Sequence, residues 1–412
     1  MNHPPVWKQK QFYISTFNAT AGDPQYTEAQ LRYHKEAGFN LIEFTFKSRE
    51  YVLQALPYCE KLGLASLVQD EELAGIGLDH MVESTDESVQ RVVELYKPFP
   101  HVMGFYVWDE PGLAAFPVCR ATIERFRRYA PDKLAFSVMV PSYGIYNWQV
   151  SNWDAQNDEP LEERPFARYV RKYLAETDVD VASIDYYPYA VKEGASLIVN
   201  DLWRDMGCVR RYAQEAGRPF WLYFQSKGTF ELDDNEGSRG MSYEKMAVQT
   251  YAALAYGAKQ ISYFTSSSAV SRMDDQPGPL FEEVRRLNRR MQHLGDFLFH
   301  KVSRKVAHSG LAEEWTEPYF LDPLSDISCV RRLPDSLIVG YFEDEEPSDG
   351  RQYLLVCNKD YEREADGELQ LDRPYEVSFL DEDTGDTVPV GVTDSLPLHL
   401  GRGEGRLWIL KK

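Results

Sequence analysis

The chain has 412 residues, with 45 Lys and Arg against 65 Asp and Glu, which gives a formal net charge of −20 at pH 7. That length holds a substantial core and more than one small domain, which excludes a disulfide-stapled miniprotein. A field of that sign repels phosphate backbones and anionic lipid, so nucleic acid and membrane surface are not expected partners.

The start of the chain, Met1-Asn2-His3-Pro4-Pro5, shows no basic region followed by an apolar run, and no segment approaches the length of a membrane span. Five cysteines, odd in number and widely scattered, have no CxxC spacing. The expected compartment is the cytoplasm, or the exterior if a leader has been removed.

Short apolar runs alternate with amphipathic stretches to about residue 300, the pattern of strands feeding helices around a parallel sheet. The spacing predicts eight strands, at 12–17, 39–46, 64–69, 104–108, 134–140, 179–186, 220–224 and 260–264. The intervening helices are predicted at 28–36, capped by Thr27, and at 49–62, capped by Ser48 and ended by Gly63. Further helices follow at 87–96, 115–129, 165–175, 195–216, 242–256 and 279–299. Eight such units in just under three hundred residues predict an α/β fold, a (β/α)8 TIM barrel over residues 1–301. A doubly wound dinucleotide fold fits less well, because no glycine-rich phosphate turn follows the first strand. Beyond residue 301 the helical period vanishes, and short alternating runs separated by turns predict a smaller all-β sandwich over residues 302–412.

In a TIM barrel the site forms at the carboxyl ends of the strands, so polar residues ending apolar runs are the candidates. The fourth run ends Trp108-Asp109-Glu110-Pro111, two carboxylates between an aromatic and a proline, with Glu110 the foremost candidate. The sixth ends Ile184-Asp185-Tyr186-Tyr187, the third Gln69-Asp70-Glu71-Glu72, and the seventh Gln225-Ser226-Lys227. Paired carboxylates suit glycoside hydrolysis, in which one acid protonates the leaving oxygen and a second attacks or activates water. Aromatic residues near the same rim, among them Trp108, Trp148, Tyr186, Tyr187 and Tyr189, offer faces on which a sugar ring stacks. The eight histidines show no HxH or HExxH spacing, and neither a G-x-S-x-G elbow nor a P-loop occurs, so no metal and no cofactor is expected. The run Thr265-Ser266-Ser267-Ser268 has no evident base beside it.

These residues resemble the barrel glycoside hydrolases of the β-galactosidase-like branch, whose acid/base glutamate ends strand four and which carry a β-sandwich behind. The resemblance rests on the segment from Gly104 to Pro111, on Ser183-Ile184-Asp185-Tyr186-Tyr187-Pro188, on the segment from Leu254 to Phe264, and on the helix from Leu287 to Gly295 with the closing Leu400-Gly401-Arg402-Gly403-Glu404-Gly405-Arg406-Leu407. It implies a glycosidase acting on a neutral oligosaccharide or glycoconjugate, in which Glu110 is the proton donor. Two departures stand out. Asp109 occupies the place of an asparagine, and strand seven ends in Gln225 where a nucleophilic glutamate is implied.

Three outcomes are open at this point. The enzyme inverts, with Asp185 or Asp70 activating water across about 6.5 to 9.5 Å; the substrate's acetamido group acts as nucleophile, oriented by Asp109 or Asp185; or the protein binds sugar without cleaving it. The expected catalytic residues are Glu110, Asp185 and Asp109. The expected substrate contacts are Trp108, Gln225, Tyr187, Asp70, Trp148, Tyr263 and Lys227. A metal-dependent lyase or isomerase with Asp70, Asp109, Glu110 and Asp185 as ligands is the remaining alternative.

Overall fold

The computed structural model describes residues 6–73, 75–76, 83–144, 164–189, 199–228, 240–266, 269–272, 275–310, 321–346 and 350–412. Eight parallel strands form the barrel of the first unit, with a ninth, two-residue strand, Gly75–Ile76, paired to Trp108 and Asp109: β1 (Tyr13–Phe17), β2 (Leu41–Phe44), β3 (Ala65–Val68), β4 (Val102–Asp109), β5 (Leu134–Val138), β6 (Ala182–Tyr186), β7 (Phe220–Gln225) and β8 (Gln260–Phe264). Neighbours pair in chain order, and β8 returns to β1 with Ser15 opposite Ser262. Between β5 and β6 the seam is thin, a single bridge from Met139 to Ile184. All eight expected strands are present, so the sheet closes into a barrel.

The helices follow the same order: α1 (Thr27–Glu36), α2 (Arg49–Leu62), α3 (Asp86–Tyr96), α4 (Phe116–Tyr129), α5 (Pro165–Thr177), α6 (Val199–Ala216), α7 (Tyr243–Ala255) and α8 (Phe281–Phe299). Ser48 caps α2 through its side chain, and Gly63 ends it at φ 63°, where only glycine avoids a Cβ penalty. Thr27 does not cap α1. It is the first helical residue, and its hydroxyl instead meets Asp23 O and the Tyr51 hydroxyl at 3.0 and 2.7 Å.

The barrel interior is filled by large rings on alternate strand positions, Tyr106, Phe136, Trp221 and Tyr223 among them. Its amino-terminal end is plugged by Trp7, packed edge-on to Trp221 and tethered where the Val6 amide donates to Asp180. Aliphatic side chains on the outward positions pack against the helices in a second layer.

From Lys301 the chain forms one seven-stranded antiparallel sheet: β9 (Lys301–His308), β10 (Val330–Arg332), β11 (Leu337–Asp344), β12 (Gln352–Asn358), β13 (Ala365–Leu380), β14 (Thr387–Leu400) and β15 (Gly405–Lys411). The order is β9-β11-β12-β15-β13-β10, with β14 on β13. Strand β13 is continuous from Ala365 to Leu380, because the register shift between Gln370 and Tyr375 bends the strand without ending it. The sheet wraps a core of its own around Leu354, Leu369, Leu396 and Trp408, while Ile338, Leu355 and Leu407 join the barrel's helical layer. Contact is tight, since a Cβ on Gly340 would lie 2.3 Å from Ala255 O. Among the described residues all five cysteines are buried and free, and no helix is long and apolar enough to cross a membrane.

Candidate active site

A bulge in β4 sets the site. Tyr106 pairs with Phe136 and faces the barrel interior, but the register to β5 slips between Tyr106 and Trp108, which reverses the alternation. Trp108 therefore turns outward into the helical layer, 1% exposed, and Asp109 turns inward, where the Tyr106 hydroxyl donates to its Oδ1 at 2.8 Å. Glu110 follows at φ 50°, a left-handed conformation rare for a residue with a side chain and rarer ahead of a proline. Its amide still donates to Val138 O at 3.2 Å, so the turn is held from below.

Asp185, on β6 opposite Tyr223, projects into the same space and shares a hydrogen bond with Glu110 and another with Tyr187. Together Asp109, Glu110 and Asp185 line a cavity of about 480 Å³ at the carboxyl end of the barrel. Its walls are aromatic. Tyr187 stacks on Phe264 at 4.3 Å, Phe17 lies 5.4 Å from Phe264 and 5.7 Å from Phe46, and Tyr143 completes the rim against Tyr186 at 5.2 Å. Phe46 is half exposed, and its own left-handed φ of 54° is secured where the Gln69 side chain accepts from its amide.

Burial of these carboxyls at the barrel mouth makes ionisation costly. Asp109 is pushed up to about 7, first by burial and then by the charge of Glu110. Asp185 lies well above the ordinary carboxylate range for the same two reasons, with the Glu110 hydrogen bond adding to them. Beneath them, at the barrel centre, Glu43 accepts from Tyr223 at 2.5 Å, Ser15 at 2.8 Å and Ser262 at 3.0 Å; burial outweighs those donors and carries it to about 7.

Of the expected contacts, the cavity contains Glu110, Asp185, Asp109 and Tyr187. Trp108 is not a contact, for the reason given. Tyr263 is fully buried on the outer side of β8, donating to Asn288 at 2.6 Å. Asp70 sits in an ion pair with Arg49, at 2.6 and 2.9 Å, and accepts from Tyr96 at 3.0 Å. Gln225 is 1% exposed and committed to backbone: it donates to Lys227 O and Gly228 O and accepts from the Tyr189 amide, so it braces the loops after β6 and β7 and does not line the cavity. Lys227 lies in that same loop, outside the cavity lining. Trp148 falls outside the described residues.

Because Asp70 is held by Arg49, the four ligands of a metal-dependent lyase do not converge. Among the described residues the one group spaced for a metal is Glu364, Asp366 and His399, exposed on the C-terminal sheet. A base does stand beside Ser266: His34 Nε2 lies 2.6 Å from its Oγ. Both are fully buried, away from the cavity, which makes the pair a packing contact. Sequence reasoning missed Phe17, Phe46, Tyr143 and Phe264, and the polar layer of Tyr106, Tyr223 and Glu43. Strand parity would have found Tyr223 and Glu43; Tyr106 needed the bulge.

The chain matches no protein-family profile and no curated protein sequence. Its fold is that of solved glycoside hydrolases. One described as a glycoside hydrolase aligns over 97% of this chain and 92% of its own with TM-score 0.56 at 11% identity. A putative alpha-galactosidase from Bacteroides fragilis aligns over 99% and 79% with TM-score 0.56 at 9% identity. An alpha-amylase from Geobacillus thermoleovorans, solved with acarbose, aligns over 98% and 100% with TM-score 0.55 at 10% identity.

Proposed function

We propose that the protein is a glycosidase acting on an oligosaccharide or glycoconjugate, with Glu110 as the proton donor to the leaving oxygen. The observation that carries this reading is the convergence of Asp109, Glu110 and Asp185 in one aromatic-walled cavity at the barrel mouth. A general acid at neutral pH needs a proton at hand, and burial together with the neighbouring Glu110 charge keeps one on Asp185, in hydrogen-bond contact with Glu110. Aromatic faces stack on the apolar face of a sugar ring, and about 480 Å³ is room for one or two rings.

The direct Glu110 to Asp185 contact bears on mechanism. Two carboxyls in hydrogen-bond contact are closer than either the roughly 5 Å of retaining or the roughly 6.5 to 9.5 Å of inverting pairs. Asp185 then serves Glu110 as a proton-holding partner, and Asp109, fixed by Tyr106, is the carboxylate left to act on water or on a substrate group. Glu110→Gln keeps shape and loses the proton; its turnover on an oligosaccharide panel, read as released reducing ends, is expected to fall by about 10²-fold or more. Unchanged turnover removes Glu110 from the chemistry.

One observation favours a second reading, a carbohydrate-binding barrel without catalysis: the strand-seven position carries an amide fully engaged with backbone. Calorimetric binding of an oligosaccharide with no reducing ends released would select it.

A further inference from the structure

The cavity has an unbalanced charge. Among the described residues that line it there is no lysine, arginine or histidine, although three carboxylates do. Asp185, 5% exposed, has an Oδ1 that is buried and without a hydrogen-bond partner among the described residues. The remaining wall is largely rings, whose faces carry the negative end of the aromatic quadrupole. Carboxylates and ring faces attract the same kind of ligand, a cation.

We propose that the cavity takes a saccharide whose bound unit carries a protonated primary amine, with the ammonium placed beside Asp185 and Asp109. The proposal rests on the carbohydrate reading above and names its substrate class, an amino sugar in place of the neutral sugar implied by sequence resemblance. An ammonium brings three donors to a wall of carboxylates in which Asp185 Oδ1 is unpartnered among the described residues, whereas a uronic or sulfated sugar would meet repulsion. Among the described residues the groups acting on this pair carry no positive charge: Asp109 is faced by Tyr106, Glu110 and Glu43, and Asp185 by Glu110, Tyr187, Tyr143 and Asp109. A cation entering here favours the ionised carboxylates, so binding at neutral pH releases protons from the cluster.

The test is calorimetry on the full chain at pH 6.5 with oligomers of matched length and linkage built from glucosamine, N-acetylglucosamine and glucose. The glucosamine oligomer is expected to bind about tenfold tighter or better, with an enthalpy that changes with the buffer's ionisation heat in the sense of proton release. Asp185→Asn is expected to erase the preference. Should that variant not fold, the wild-type buffer dependence and its weakening by salt still decide. Equal or tighter binding of the uncharged oligomers overturns the amino-sugar inference and leaves the carbohydrate reading intact. Binding of none of the three overturns both.

Discussion

Glu110 and Asp185 leave the ends of two barrel strands that are separated by a third, and their carboxyl groups meet in a hydrogen bond. Two carboxyls in contact behave as a single acid that holds one proton strongly, because a second ionisation would place like charges side by side. The left-handed turn at Glu110 is what makes the meeting possible, since an extended residue there would carry the side chain along the strand and not across the mouth.

Replacing Asp185 with asparagine keeps a polar partner and removes the charge that raises the proton affinity of the pair. The alkaline limb of kcat/KM is expected to move to lower pH by about one pH unit, with turnover reduced by about tenfold to a hundredfold. A pH–rate profile on one fixed substrate checks this. An unmoved alkaline limb would show that Asp185 does not share the catalytic proton.

Glu43 carries a stability signature with a definite sign. Its folded-state value of about 7 lies above the ordinary 4.5, so its contribution is fully present below about 4.5 and is lost as pH rises towards 7. The span corresponds to at most roughly 3 kcal/mol. Glu43→Gln, which cannot ionise, should therefore raise the melting temperature at pH 8 and change it little at pH 4.5. Equal effects at both pH values in thermal scans would mean that folding does not raise the proton affinity of Glu43.

The fold was legible because its information is local: strand runs, caps and glycine stops each lie within a few residues. The carboxylates ending runs four and six were legible for the same reason. What was not legible depended on a partner far along the chain or on a one-residue slip. Trp108 and Asp109 exchanged faces through the bulge against β5. Asp70 reads as a rim carboxylate until Arg49 and Tyr96 are seen to enclose it. Gln225 reads as a displaced nucleophile until the loops it braces come into view. Phe46 carries no local sign of exposure, since an aromatic ending an apolar run reads as core.

Asp70→Asn tests the structural assignment of the ion pair directly. The carboxylate side chain is almost fully buried against a guanidinium that is about a third exposed, so breaking the pair is expected to cost about 3 kcal/mol in urea unfolding. Turnover measured well below the melting temperature should match the wild type within a few-fold. A large loss of turnover in the folded variant would return Asp70 to the substrate site.

Phe46→Ala addresses the rim of the cavity. The ring is half exposed and touches Phe17 edge-on, so its loss removes little core packing, and stability should fall by no more than about 1 kcal/mol. A stacking platform outside the reacting carbons contributes equally to bound substrate and transition state. KM should therefore rise by about tenfold while kcat stays within a few-fold. The split is read from initial rates over a range of oligosaccharide concentrations, and a fall in kcat with KM unchanged would place Phe46 beside the bond being cleaved instead of at the entrance.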